Sequence, residues 1–150
     1  MLKQASVEQV RNLQLPRENS HIVIAMCYYP RGIKKELSDE FRSELAPDRT
    51  LFTEWKEVEK AHGHDQAFIT TRYEERFTLS PTGLYHLKKY SESPLDTYLV
   101  CQCKTGERCH REMLLLTGKL KYQAPIDKVF NSYPTYEKRI PDLNDKLAFW

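Results

Sequence analysis

Between Val100 and Glu112 the chain reads VCQCKTGERCHRE. An apolar run ends here and a helix-like run begins. Cys101, Cys103, Cys109, His110 and Arg111 therefore fall where the carboxyl end of a strand meets the amino end of a helix. Ligands of open α/β sheets collect at such ends. The free N–H groups and partial positive charge of a helix start favour an anion. Arg108 and Arg111 add fixed charge suited to a phosphate or carboxylate. The same field favours a thiolate at Cys109. In this reading Arg108 and Arg111 bind the anion. His110 is an acid/base or hydrogen-bond donor, and Cys109 is the second catalytic candidate.

Other readings compete for the same residues. One is a thiol enzyme using Cys103 or Cys109. The loop C-K-T-G-E-R, from Cys103 to Arg108, resembles the persulfide-carrying loop of rhodanese sulfurtransferases, in which backbone N–H groups wrap around the cysteine. Another is a metal site, since Cys101, Cys103, Cys109 and His110 are four potential zinc ligands. The paired C-x-x-C spacing is absent, and Cys101 and Cys103 are expected to leave opposite faces of their strand. No metal and no cofactor are therefore expected. In the last reading the corner is structural: Cys101 is a small core hydrophobe, as most free cysteines are, and Arg111 locks strand to helix.

A second group, Tyr28-Tyr29-Pro30-Arg31-Gly32 with Lys34 and Lys35, follows the other apolar run. Aromatic rings beside Arg and Lys suit a base stacked near a phosphate. Tyr29, Arg31 and Lys34 are the ligand-binding candidates here. If the two strands are parallel neighbours, both groups open on one rim, and Arg31 and Arg111 should converge. Arg72 to Arg76 reads as a charge-laced surface helix. His62 and His64, either side of Gly63, are expected to be exposed and inert.

The elements that must position these residues are partly legible. His21 to Tyr29 (HIVIAMCYY) is a continuous apolar run, which suits a strand buried on both faces. Thr97 to Cys103 (TYLVCQC) is the second strand. Helices are expected over Ser6 to Leu13, from Ser38 to near Leu45, over Thr50 to Ala61 with Gly63 as its stop, from Ser80-Pro81 to Pro94, and over Cys109 to Tyr122. Gln66 to Leu79 is ambiguous and leans to helix. A third strand is sought in that segment or around Lys128 to Phe130. The fold class is α/β: a small, mostly parallel sheet flanked by helices in one layered domain. Residues 1–19 form an N-terminal arm or helix, 20–122 the core, and 123–150 a C-terminal extension packing on it.

Composition bounds the function. A chain of 150 residues with 40% hydrophobic and 29% charged residues is globular. The net charge of +2 is too small to announce a nucleic-acid binder by itself. No apolar stretch spans a membrane, and the N-terminus lacks a signal peptide's apolar core. A cytoplasmic protein with reduced cysteines is expected.

Two segments together resemble the domain of unknown function family 488. They are YYPRGIKKELSDEFRSELAP followed by TEWK, and LVCQCKTGERCHREMLL. Pro30, Arg31, Gly32, Lys34, Lys35, Glu36, Glu44, Leu45, Ala46 and Pro47 match its W-P-R-G-like turn and later E-L-A-P. Cys101, Cys109, His110 and Arg111 match the C-x-E…C-H-R element of one branch. Tyr29 stands where the pattern has tryptophan, and Cys103 where it has an acid, a role Glu107 or Glu112 would have to fill. The resemblance covers roughly residues 20 to 122. It implies a compact cytosolic α/β domain and supplies no reaction. The reading reached is a basic Cys-His-Arg pocket for an anionic partner, either a nucleotide-like small molecule or nucleic acid.

Overall fold

The computed structural model describes residues 1–147. Four parallel strands form one sheet in the order β1-β4-β2-β3: β1 (Leu2–Ser6), β2 (Ser20–Ile24), β3 (Glu40–Phe41) and β4 (Asp96–Cys101). Seven helices flank it among the described residues: α1 (Val7–Arg11), α2 (Arg49–His62), α3 (His64–Thr70), α4 (Tyr73–Arg76), α5 (Pro81–Glu92), α6 (His110–Tyr122) and α7 (Pro134–Arg139). The expected α/β class with a parallel sheet is what the chain adopts. No helix among the described residues is long and apolar enough to cross a membrane.

The two apolar runs supply the central strands, although β2 stops at Ile24 rather than Tyr29 and β4 at Cys101 rather than Cys103; both faces of each strand are covered. On β2, Ile22 and Ile24 face one cluster with Ala5, Val7, Val10, Tyr98 and Val100. Val23 and Ala25 face the larger cluster, which also holds Leu99, Leu114, Leu115 and Tyr136. This is the period-2 alternation of a strand with apolar residues on both sides. β2 and β4 are hydrogen-bonded neighbours running in parallel, with His21 opposite Thr97 and Ile24 opposite Val100. The loops that follow them leave the same edge of the sheet.

Helix starts follow local chemistry. Ser6 caps α1 with a capping box to Gln9, Asp48 caps α2, and Ser80 caps α5 ahead of Pro81. α2 stops at Gly63, whose φ of 87° suits glycine alone. Gln66 to Leu79 is helical only as far as Arg76, as α3 and α4 interrupted at Arg72, which takes a left-handed conformation with φ 55°; Phe77 is extended and Phe77 to Leu79 lie outside any helix.

Three expectations fail. The N-terminal arm is not only a helix: Leu2–Ser6 is the strand β1, paired with β4 over its whole length. LKQAS lacks the β-branched run that marks a strand, and its polar Gln4 is buried because it is hydrogen-bonded within the fold. The third strand sought in the middle segment or at Lys128 to Phe130 is therefore elsewhere, although Ile126 forms one bridge to Leu2. The helix expected from Ser38 to Leu45 is instead two single turns, Lys35–Leu37 and Ser43–Leu45, around β3. Asp39 diverts it: its N–H donates to Ile22 O and its carboxylate accepts from Ile22 N, which zips the segment onto β2. Beyond α6, Tyr133, Tyr136, Ile140 and Leu143 are buried in the main cluster. The expected extension continues to residue 150, and 148–150 lie outside the described residues.

Candidate functional site

A cavity of about 480 Å³ opens at the carboxyl ends of β2 and β4. Tyr28, Tyr29 and Pro30 enter it from the loop after β2. Cys101, Cys103, Lys104, Glu107, Arg108, Cys109 and His110 enter from the loop after β4 and the start of α6. The opposite wall is Phe52, Trp55 and Lys56 of α2, His64 and Phe68 of α3, and Tyr73 of α4. Parallel pairing of the two strands is what brings the loops to one rim.

The floor is a cluster of sulfur. The Sγ atoms of Cys101, Cys103 and Cys109 all lie within 4.8 Å of one another. This corrects the expectation that Cys101 and Cys103 point apart. Residues two apart on a strand share a face; here β4 also ends at Cys101, and the turn beyond it brings Cys103 back over the corner. His110 flanks the cluster on its Cys109 and Cys101 side, with Nδ1 at 3.7 Å from Cys109 Sγ and 4.0 Å from Cys101 Sγ. Its other ring nitrogen, Nε2, lies 2.7 Å from Ala25 O at the end of β2. That carbonyl accepts only, so Nε2 carries the proton.

Hydrogen bonds from the Cys103 and Cys109 thiols, aided by the charge of His110, hold the Cys101 thiol well below its usual range despite burial. Burial opposes the charged form of His110, but Cys101 and Cys109 outweigh it and push the imidazole up. Cys103, bonded to Cys101 and Cys109 and largely buried, is pushed up. The thiol favoured toward its thiolate form is therefore Cys101, for which the sequence left core hydrophobe and metal ligand as open readings. Among the described residues no backbone N–H donates to Cys103 Sγ. In the loop, Lys104 N donates to Glu107 Oε1 and Glu107 N to Lys104 O. The N–H cradle of a rhodanese loop is not formed.

The sequence candidates divide sharply. Tyr29, Arg108, Cys109 and His110 line the cavity. Arg108 also donates to Ser132 O at 2.9 Å, meets Asp65 at 3.2 Å and lies over the Tyr133 ring. Arg31 and Lys34 are exposed and are not part of the lining. Arg111 points away from the cavity and is fully buried. Its Nε donates to Gln4 Oε1 at 2.9 Å, and Nη1 donates to Ala5 O at 2.6 Å and Cys103 O at 2.9 Å. Nη2 reaches Lys104 O at 3.3 Å. The expected convergence of Arg31 with Arg111 does not occur, because the helical turn that aims His110 at the cavity aims Arg111 at β1. Glu107 lines the cavity, whereas Glu112 is buried on the Arg111 side.

Sequence reasoning missed the far wall. Trp55 falls in the helix expected over Thr50 to Ala61 with no site role, and His64 is expected to be inert. Both line the cavity, and Trp55 Nε1 and His64 Nε2 are buried with no hydrogen-bond partner among the described residues. The only signal in the sequence was the density of aromatic residues from Phe52 to Tyr73, which core packing explains equally well.

The fold and site define a parallel α/β domain with a cysteine- and histidine-floored, aromatic-walled cavity at the strand ends. A family model described as "Active DUF488-N3 subclade" matches residues 6–122. The chain belongs to the DUF488 family. Among curated proteins and among solved structures no match is found.

Proposed function

We propose that the cavity binds one small anionic ligand bearing a flat ring, of the nucleotide class, in the reducing setting of the cytoplasm. The observation that carries this reading is the wall composition. Tyr28, Tyr29, Phe52, Trp55, Phe68 and Tyr73 surround the space, and the charged lining is Lys56, Lys104 and Arg108 against Glu59 and Glu107. Aromatic faces stack a base and basic side chains meet its phosphate. The volume of about 480 Å³ suits a single nucleotide rather than a strand of nucleic acid. The partnerless Trp55 Nε1 and His64 Nε2 are polar groups a ligand would satisfy. Four free cysteines support the reducing compartment.

Arg31, Lys34 and Arg111 drop from the binding set in this reading; Tyr29 and Arg108 stay, joined by Tyr28, Trp55 and Lys56. Calorimetric titration with a panel of mononucleotides and with inorganic phosphate tests it. At least one mononucleotide should bind saturably, and Tyr28→Ala, at an exposed ring, should weaken it on the order of 10-fold or more through lost stacking. No binding by any nucleotide at millimolar concentration ends the reading.

The thiol-rich floor favours a second reading, chemistry at a cysteine on the bound molecule, in keeping with the word "active" in the family description. Of the three floor thiols Cys103, half-buried in the turn, is the most accessible; Cys27, outside the floor, is half-buried too. Alkylation of the native protein, mapped by mass spectrometry with and without nucleotide, should label Cys103 first and be slowed by the ligand. Labelling confined to Cys27 would remove this reading.

A further inference from the structure

The sulfur floor has a geometry that ring stacking does not require. Around a zinc ion, sulfur ligands at about 2.3 Å and nitrogen at about 2.0–2.1 Å define a tetrahedron. Its edges are about 3.8 Å between sulfurs and about 3.6 Å between sulfur and nitrogen. His110 Nδ1 stands 3.7 Å from Cys109 Sγ and 4.0 Å from Cys101 Sγ, close to the mixed edge. The three sulfurs, within 4.8 Å of one another, need close by about an ångström at most, which side-chain rotation supplies.

The surroundings match those of a metal-binding histidine. A ligating imidazole donates its far N–H to a carbonyl or carboxylate, which fixes the tautomer and presents the other nitrogen's lone pair. His110 Nε2 does this with Ala25 O at 2.7 Å. The ligand-bearing backbone is held from behind: Arg111 Nη1 donates to Cys103 O at 2.9 Å and reaches Cys101 O at 3.5 Å, and Nη2 reaches Lys104 O at 3.3 Å. Tyr133 OH accepts from Cys109 N at 3.1 Å. In Cys109-His110-Arg111, two residues face the cluster and the third fixes the turn that carries the others.

We propose that Cys101, Cys103, Cys109 and His110 form a Cys3His site for a thiophilic divalent metal ion, zinc(II) foremost. The sequence reading discounted a metal on ligand spacing and on strand geometry. The geometric objection is gone, because the turn after β4 gathers the thiols. Metal uptake replaces thiol protons, so binding releases protons and tightens as pH rises. The site stands whether or not the cavity above it takes a nucleotide.

The test uses the full chain, reduced, stripped with a chelator under anaerobic conditions, and titrated with zinc(II) and cobalt(II). One equivalent should bind, and cobalt should produce thiolate-to-metal absorption in the near ultraviolet. Zinc should shield three of the four thiols from a disulfide reagent. Cys103→Ser, in the half-buried turn, should weaken zinc roughly 100-fold or more. Cys27→Ser should leave affinity unchanged, since Cys27 lies outside the cluster and donates to Pro47 O. The proposal is overturned if folded, reduced protein takes up no zinc at micromolar concentration, or if Cys27→Ser costs as much as Cys103→Ser. It is also overturned if all four thiols react at the same rate with and without zinc, a measurement that needs no variant to fold.

Discussion

Cys109 and His110 on one side of the first turn of α6, and Arg111 and Glu112 on the other, are neighbours in sequence with opposite surroundings. The first pair lines a cavity and faces two further thiols. The second pair is fully buried and spent on internal bonds. Arg111 takes Gln4 and the carbonyls of β1 and of the turn after β4. Glu112 accepts from Gln4 Nε2, Phe130 N, Asn131 Nδ2 and Tyr133 OH. Gln4 bridges the two charges. Helical geometry forces the split, because each residue turns about 100° from the last. One motif thus does two jobs: the cavity side sets thiol and imidazole groups, themselves buried, into the cavity wall, and the rear side ties β1 and the C-terminal extension to the helix that carries them.

Substitution on the rear side gives the largest effect. Arg111→Ala leaves Gln4 Oε1 and the buried carbonyls of Ala5 and Cys103 unmet, which together costs about 3–5 kcal/mol and lowers Tm by on the order of 10 °C. Arg111→Lys should lose less, about 1.5–3 kcal/mol, because it keeps the charge but not the fork. A thermal melt of either variant that coincides with the parent breaks the comparison.

Glu112→Gln comes next. An amide sets its own donors against the four donors that now converge on the carboxylate, for a loss of about 1–3 kcal/mol. The loosened part should be the segment that Phe130, Asn131 and Tyr133 anchor. Hydrogen exchange should quicken there first, and uniform quickening over the sheet would contradict the anchoring role.

Acid should act away from this corner, at the β3 edge. Burial alone would raise the carboxyl of Glu40, but hydrogen bonds from His21, Arg42 and Tyr90 outweigh it and hold it at about 2. A depressed folded value stabilises the protein at pH above the unfolded value of 4.5, and that stability is lost as pH falls from there toward about 2. Glu40→Gln should lie below the parent in Tm at neutral pH and converge with it across that window. Parallel Tm curves for the two proteins would exclude the linkage.

The smallest effect on stability belongs to the cavity side. Arg108 is partly exposed and its ion pair is with exposed Asp65. Arg108→Gln should cost under about 1 kcal/mol while weakening nucleotide binding. A variant that melts several degrees early would move Arg108 to the rear-side class.

The sequence by itself determined what local physics controls. Two uninterrupted apolar runs specified the buried strands β2 and β4. Ser6, Ser80-Pro81 and Gly63 marked helix ends, because caps and left-handed stops act over a few residues. The cysteine- and histidine-rich corner at Cys101–Arg111 was legible from residue types alone. Tertiary structure decided what depends on partners distant in sequence. LKQAS is a strand only because β4 pairs with it, and its Gln4 is buried only because Arg111 and Glu112 meet it there. The aromatic wall from Phe52 to Tyr73 faces the cysteines only because α2, α3 and α4 fold over the strand ends. The direction of Arg111 follows from where β1 lies, and the gathering of three thiols follows from a turn whose path neither spacing nor periodicity encodes.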